Sequence, residues 1–192
     1  MKKILIPLLL VVGLIVIAAV VFGSSYNNFV QLEEDVNESY AQLDSQLQRR
    51  LDLIPNLVET VKGFADQEQE VIDSVTEARS SMAGAGSVEE QAAADAELSG
   101  ALSRLLVVVE NYPEVRSSEN FQQLSDELAG TENRIAVARQ DYNGAVTEFN
   151  RKVRSFPGNM TAGMFGFDEK EYFEADAGAE DAPDVDFGTD EE

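Results

Sequence analysis

An all-α fold is predicted for this chain: an N-terminal transmembrane helix followed by an elongated antiparallel up-and-down helical bundle. Three observations predict it. The stretch from Ile4 to Phe22 holds no charged or strongly polar side chain. From Tyr26 to Phe156 apolar residues recur three and four positions apart, the spacing of one helix face, and nowhere alternate as in a strand. Short breaks marked by Gly or Pro separate the periodic stretches, which suits long helices packed antiparallel.

The N-terminal run rises about 28 Å at the helical rise per residue, close to the thickness of a bilayer's hydrocarbon core. It is apolar on every face, unlike a helix of a soluble bundle. Pro7 falls in the first turn, where its missing N–H costs least. A cleaved signal peptide is the alternative, with Lys2-Lys3 as its basic start and Val21-Phe22-Gly23 as a small-residue site, although the run is longer than the usual signal core. Lys2 and Lys3 precede the run and no basic residue follows until Arg49. The positive-inside rule then puts the N-terminus in the cytoplasm and the body outside the cell membrane. The chain divides into an anchor (1–25), which meets the bilayer through residues 4–22, a helical body (26–173) and a tail (174–192).

In the body, Phe29, Leu32, Val36, Tyr40, Leu43 and Leu47 line one face of a first helix. Gly23-Ser24-Ser25 is either a hinge before it or part of a helix continuous with the anchor. At Pro55 a new helix can begin, with Asp52 as its cap and Leu53, Ile54 and Pro55 in its first turn; a continuous, kinked helix is the alternative. The next seam reads Leu57, Val61, Phe64, Glu68, Val71, Val75, Ala78 and Met82, interrupted by Glu68 alone. Gly84-Ala85-Gly86 is a loop, and Ser87 with Glu90 makes a capping box. A third helix carries Leu98, Leu102, Leu105, Val109 and Tyr112, and breaks before Pro113. A fourth starts near Ser118, carries Phe121, Leu124, Leu128, Thr131, Ile135, Ala138, Tyr142, Ala145 and Phe149, and ends before Phe156-Pro157-Gly158. Asn159 to Phe167 is expected as a loop folded back on the bundle, and Asp168 to Phe173 as a last short turn. From Glu174 to Glu192 the residues are acidic, Gly or Pro-containing and without a base, a composition that predicts disorder.

Composition excludes several functions. There is no Cys, His or Trp. Disulfides, thiolate metal sites, a Cys nucleophile and an acylated lipoprotein anchor are ruled out, and the commonest metal ligand and general base are missing. The net charge of −22, from 36 acidic and 14 basic residues, repels nucleic acid. An acid-rich, Lys-poor surface of this kind suits high salt. No P-loop, dinucleotide fingerprint, nucleophile elbow, zinc motif or EF-hand spacing is present. Glu68 on the apolar seam is either a buried acid with a raised pKa or, more simply, a solvated carboxylate or the partner of Arg104, Arg134 or Arg139. No catalytic, cofactor-binding or metal-ligating residue is assigned, and no cofactor is expected.

The densest local pattern is Gln46-Leu47-Gln48-Arg49-Arg50-Leu51-Asp52-Leu53-Ile54-Pro55-Asn56-Leu57-Val58-Glu59-Thr60-Val61-Lys62-Gly63-Phe64. It resembles the signature of the LemA family of bacterial membrane proteins. A second block agrees: Asn120-Phe121, Leu128, Thr131-Glu132, Ile135-Ala136, Ala138-Arg139, Tyr142-Asn143 and Phe149-Asn150, closed by Phe156-Pro157, Gly166-Phe167 and Tyr172-Phe173. The resemblance covers about residues 26–175. The sequence departs from the pattern at Gln48, where the family has Lys, and at Gln67, where it commonly has His. The resemblance implies an N-terminal anchor, an antiparallel helical bundle and a structural or organising role. It supplies no reaction, catalytic residue or cofactor.

Arg49 and Arg50 near a helix C-terminus would complement its dipole and pair with Asp52; as a basic spot in an acidic protein they would instead dock an acidic partner. Arg49, Arg50, Met160, Met164 and Phe165 are the candidate partner-binding residues. The expected function is structural, scaffolding or partner-binding at the membrane, through protein partners or self-association and without evident catalysis. The alternatives are an accessory subunit of a membrane protease or transporter and a carboxylate-dependent extracytoplasmic hydrolase, which would need two close carboxylates in a cleft.

Overall fold

A computed structural model describes residues 2–63 and 68–174, with the backbone alone at residues 2–8, 11, 14, 15 and 18. Phe64 and Gln67, and the acidic tail from residue 175 onward, lie outside the described residues. Six helices follow in order: α1 (Lys2–Lys62), α2 (Gln69–Gly84), α3 (Val88–Val109), α4 (Pro113–Arg116), α5 (Glu119–Arg154) and α6 (Gly158–Phe165). No strand occurs among the described residues. The all-α prediction holds. Among the described residues no helix is long and apolar enough to cross a membrane.

Helix α1 continues through both places where a break was considered. Gly23-Ser24-Ser25 is helical, and the continuous alternative at Pro55 is the one observed. Asp52 therefore caps nothing; its Oδ1 accepts from Gln48 Nε2 one turn back, at 3.1 Å. A proline inside a helix has no N–H for the carbonyl four residues earlier. Here that carbonyl belongs to Leu51, and the Arg79 Nε on α2 donates to it at 3.1 Å. A side chain from a neighbouring helix thus replaces the bond that Pro55 cannot make. The single helix predicted from Leu53 to Met82 is instead divided, its first part ending α1 and its second forming α2. The buried set shifts accordingly: Leu57 and Val61 are buried as predicted, but beyond the break Ile72 rather than Val71 is buried, followed by Val75, Ala78 and Met82.

The chain separates into two packed units, residues 1–46 with 132–172, and residues 47–131 with 173–192. In the second unit, α2 and α3 pack on one another. The Gly84-to-Ser87 connection between them is stopped and restarted by local chemistry. Ser87 Oγ accepts from the Glu90 N–H at 3.1 Å, while the Glu90 carboxylate accepts from the Gly86 N–H at 2.7 Å. This is the predicted capping box, its return bond reaching one residue further back. At the other end of the α2–α3 pair, Tyr112 donates to Glu68 Oε1 at 3.0 Å. That hydrogen bond, helped by burial and by the Glu68 charge, raises the Tyr112 phenol above its ordinary pKa. Glu68 takes this partner rather than an arginine from the candidates named above. Pro113 opens α4 at its first position, where a proline is well tolerated, giving a short helix that the apolar periodicity is too brief to reveal. The core contains Leu47, Ile54, Leu57, Leu98, Leu105, Val109 and Val115, all buried.

In the first unit, α1 and α5 run antiparallel. Phe29 meets Phe149 with ring centroids 5.9 Å apart, and Tyr40 meets Tyr142 at 5.7 Å. Advancing along α1 therefore means retreating along α5. Phe29, Val36, Leu43, Ile135, Tyr142, Val146 and Phe149 are buried between them. Most of the predicted seams of the first and fourth helices are thus core.

Candidate functional site

Two places hold the residues that the sequence singled out, and each is best understood from its local packing. The first is the Arg49-Arg50 pair on α1. Successive helical residues point about 100° apart, so two adjacent arginines cannot share an environment. Arg50 turns inward: it is 5% exposed, and its guanidinium donates to Asp95 Oδ1 at 2.7 Å and to Ser99 Oγ at 2.9 Å. Asp95 is itself 6% exposed. Asp95 and Ser99 sit on the face of α3 that carries Ala92, Leu98 and Leu102. A charge in such a place persists only with a partner and hydrogen bonds, so the pair ties α1 to α3. Arg49 turns outward, half-exposed, with Glu127 of α5 at 3.6 Å. Only Arg49 of the two presents a guanidinium to the outside. Asp95 was missed in the sequence, yet it sits three residues before Leu98 on an apolar seam, the same signal that singled out Glu68.

The second place is the segment after α5. Residues 159–167 were expected as a loop, but Gly158–Phe165 is the helix α6. It follows a cis Phe156–Pro157 bond. Gly158 lies so close to the end of α5 that a Cβ there would stand 2.3 Å from the Lys152 carbonyl oxygen. Only glycine fits this approach. Gly166, at φ 77°, ends the helix in the left-handed conformation, and the N–H groups of Gly166 and Phe167 both reach the Ala162 carbonyl, at 2.8 and 3.1 Å. Eight residues of weak apolar pattern give no clear helical period, but the Pro-Gly start and Gly stop were legible signals.

Beyond α6 no short turn forms between Asp168 and Phe173; the chain has no regular secondary structure there. Side chains hold it instead. Phe167 stacks on Phe29, with centroids 4.8 Å apart and planes 12° apart. The Asn150 amide brackets the Lys170 backbone, accepting from its N–H at 2.8 Å and donating to its carbonyl at 2.9 Å. These bonds occupy backbone groups that a helical turn would need. The Lys170 ammonium reaches Glu33 at 2.6 Å and lies 5.4 Å from the Phe149 ring centre. Arg154 makes a two-pronged contact with Glu169, which lowers the Glu169 pKa and raises that of Arg154. Tyr142 donates to the Glu171 carbonyl at 2.9 Å, and burial pushes its phenol up to about 12.

This docking leaves one side of α6 uncovered. Gly158, Thr161 and Ala162 face inward, while Met160, Met164 and Phe165 are 52%, 64% and 49% exposed. Phe156, just before the helix, is also exposed. Elsewhere in the first unit an open groove of about 730 Å³ lies between α1 and α5, bordered by Glu38, Gln42, Ser45, Asn133, Arg134 and Asp141. Among the described residues no group of three or more His, Cys, Asp or Glu is arranged to hold a metal ion.

Comparison with known proteins bears on these features together. The model of the LemA family matches residues 39–187. Magnetosome protein MamQ 2 of Paramagnetospirillum magneticum is 30% identical over 175 residues, which covers 78% of this chain. The match spans 64% of that relative's own length, so the chain corresponds to somewhat under two thirds of it. Magnetosome protein MamQ of Magnetospirillum gryphiswaldense is 27% identical over 197 residues, covering 87% of this chain and 72% of the relative. Protein LemA of Metamycoplasma hominis is 23% identical over 147 residues, covering 74% and 65%. The matched region takes in the Arg49-Arg50 turn, the antiparallel helices and the strapped segment after α5, and the chain belongs to the LemA family.

Proposed function

We propose that this LemA-family chain is a membrane-anchored helical scaffold whose work is to hold protein partners, or copies of itself, at the bilayer, with no catalytic step. The observation that carries the reading is the start of α1. Its Ile4–Phe22 stretch lacks a charged residue, and Leu9, Leu10, Val12, Val16, Ile17, Val20 and Val21 are all substantially exposed. Large apolar side chains displayed in a row need a cover, and a bilayer supplies one. The helix then continues into the body without a break. An anchor joined to the body in this way orients the body as well as tethering it. In this reading residues 1–25 are the anchor, 26–173 the body and 174–192 an acidic tail.

Lys2 and Lys3 favour a cytoplasmic N-terminus, with the body on the far side. The outward Arg49 and the exposed side of α6 are the proposed contact surfaces, whereas Arg50 acts by holding α1 to α3. The names of the magnetosome relatives favour a role in organising a larger structure over one in turnover of a substrate. Crosslinking in native membranes, followed by identification of the crosslinked species, tests this function. Recovery of one reproducible partner or of a defined self-assembly supports it; a chain recovered only as an uncrosslinked monomer contradicts it. The absence of Cys allows single introduced cysteines to report sidedness with an impermeant maleimide.

A further inference from the structure

The uncovered side of α6 has a specific neighbour. The Phe165 ring lies 4.8 Å from Tyr26 on α1, and Phe167 lies 5.8 Å from the same tyrosine. Tyr26 comes four residues after the apolar run ends at Phe22. Helix α6 is therefore held at the level where the proposed anchor leaves the bilayer. It has no charged residue, in a chain that is one quarter charged. Arg151, Lys152 and Arg154 occupy the last turn of α5, directly before it.

We propose that α6, with Phe156, is a foot that inserts into the boundary between lipid headgroups and acyl chains of the same membrane that holds α1. A short helix with one apolar side suits that boundary rather than a full crossing. Tyr26 beside Phe165 supplies the amphipathic ring favoured at headgroup depth. In the last turn of α5, Arg154 is paired with Glu169 and Arg151 lies 3.5 Å from Glu148, so attraction to lipid phosphates is weak and the apolar side of α6 carries the contact. A protein partner would also cover Met160, Met164 and Phe165. The contact of Phe165 with Tyr26, one helical turn after the apolar run ends, favours lipid. This inference rests on the anchoring reading above, because an unanchored chain has no adjacent bilayer.

The chain has no Trp, so a single introduced one reports its own surroundings. The full chain carrying Phe165→Trp is reconstituted at low protein-to-lipid ratio into vesicles of phosphatidylcholine and phosphatidylglycerol, with and without brominated acyl chains. Met164→Trp is the second variant, in case the first disturbs the Tyr26 contact. Val137→Trp, on an exposed position of α5 beyond Tyr142, is the control. For the two α6 variants the expected result is blue-shifted emission that brominated lipid lowers about twofold, while the control stays unshifted and unquenched. Vesicle flotation is scored in parallel. Chains that float but show unquenched emission in both α6 variants overturn the foot and leave the anchor standing. Emission that is blue-shifted yet unquenched means the patch is covered by protein, which also overturns it. Chains that fail to float overturn the foot and the anchor together.

Discussion

Replacing Arg79 with Met removes the guanidinium that serves the Leu51 carbonyl while keeping most of the apolar stem. Leu51 is 7% exposed, so little water can take over the bond. A buried carbonyl left without a donor costs about 1–3 kcal/mol. The cause of the vacancy is Pro55, which is exposed and packs little. Changing Pro55 to Ala returns an N–H to the helix and supplies the missing donor. Arg79→Met should therefore destabilise the native background by about 1–3 kcal/mol and the Pro55→Ala background by less than half as much. Any long-range effect of removing a positive charge from an acidic protein is the same in both backgrounds and cancels in the cycle. Urea denaturation of the detergent-solubilised chain, followed by far-ultraviolet circular dichroism, measures all four stabilities. An equal cost of Arg79→Met in both backgrounds would refute the reasoning, because Arg79 would then act independently of Pro55.

Three further outcomes follow from the packing. Asp95→Ala removes the carboxylate that accepts from the buried Arg50 guanidinium and should cost about 1.5–3 kcal/mol in the same denaturation assay, whereas Glu127→Ala, at the exposed Arg49, should cost under about 1 kcal/mol; similar costs would mean the burial difference is unimportant. Gly158→Ala drives a methyl against the Lys152 carbonyl and should cost about 1–3 kcal/mol, with faster proteolysis of the segment after Arg154; unchanged stability and protection would contradict the close approach. The Tyr142 phenol is held protonated up to about 12, above its ordinary value of 10.0. Its contribution is complete below the unfolded value and is lost as pH rises through about 12, so alkaline unfolding between these values should weaken in Tyr142→Phe. That variant should also lose about 0.5–1.5 kcal/mol at neutral pH with the bond to Glu171, and an unchanged alkaline profile would show that Tyr142 is not responsible.

Much of the fold was legible because it follows apolar periodicity. Phe29, Val36, Leu43 and Leu47 on α1, and Phe121, Ile135, Tyr142 and Phe149 on α5, were read from spacing alone and are buried. The Ser87–Glu90 cap was legible because its chemistry is local. The failures were not local. Pro55 looked like a helix start because the guanidinium that makes it tolerable lies on α2, 28 residues beyond the Leu51 carbonyl it serves. Conversely, the end of α1 at Lys62 and the start of α2 at Gln69 fall beside Gly63 and Glu68, and the interruption at Glu68 was read as a feature of one helix rather than as its end. The segment after α5 escaped because Asn150 and Tyr142, which hold it, bind backbone atoms, and backbone atoms carry no sequence signal.

The candidate site divides along the same line. An exposed apolar patch at Met160, Met164 and Phe165 was readable from composition. Its position beside Tyr26 was not, because it depends on the Phe156-Pro157-Gly158 corner and the Phe167–Phe29 stack. The two arginines were readable as a pair, but their opposite environments depend on the phase of α1 against α3 and α5, which only the packed helices set.

The central claim is that α1 anchors the chain. Its most direct test is alkaline carbonate extraction of native membranes holding either the full chain or the same chain with Val12→Asp and Val16→Asp. Each aspartate at the middle of a span costs about 2.5–3.5 kcal/mol on insertion. The full chain should stay in the membrane pellet and the doubly charged variant should appear in the extract. Release of the unmodified chain into the extract would contradict the account.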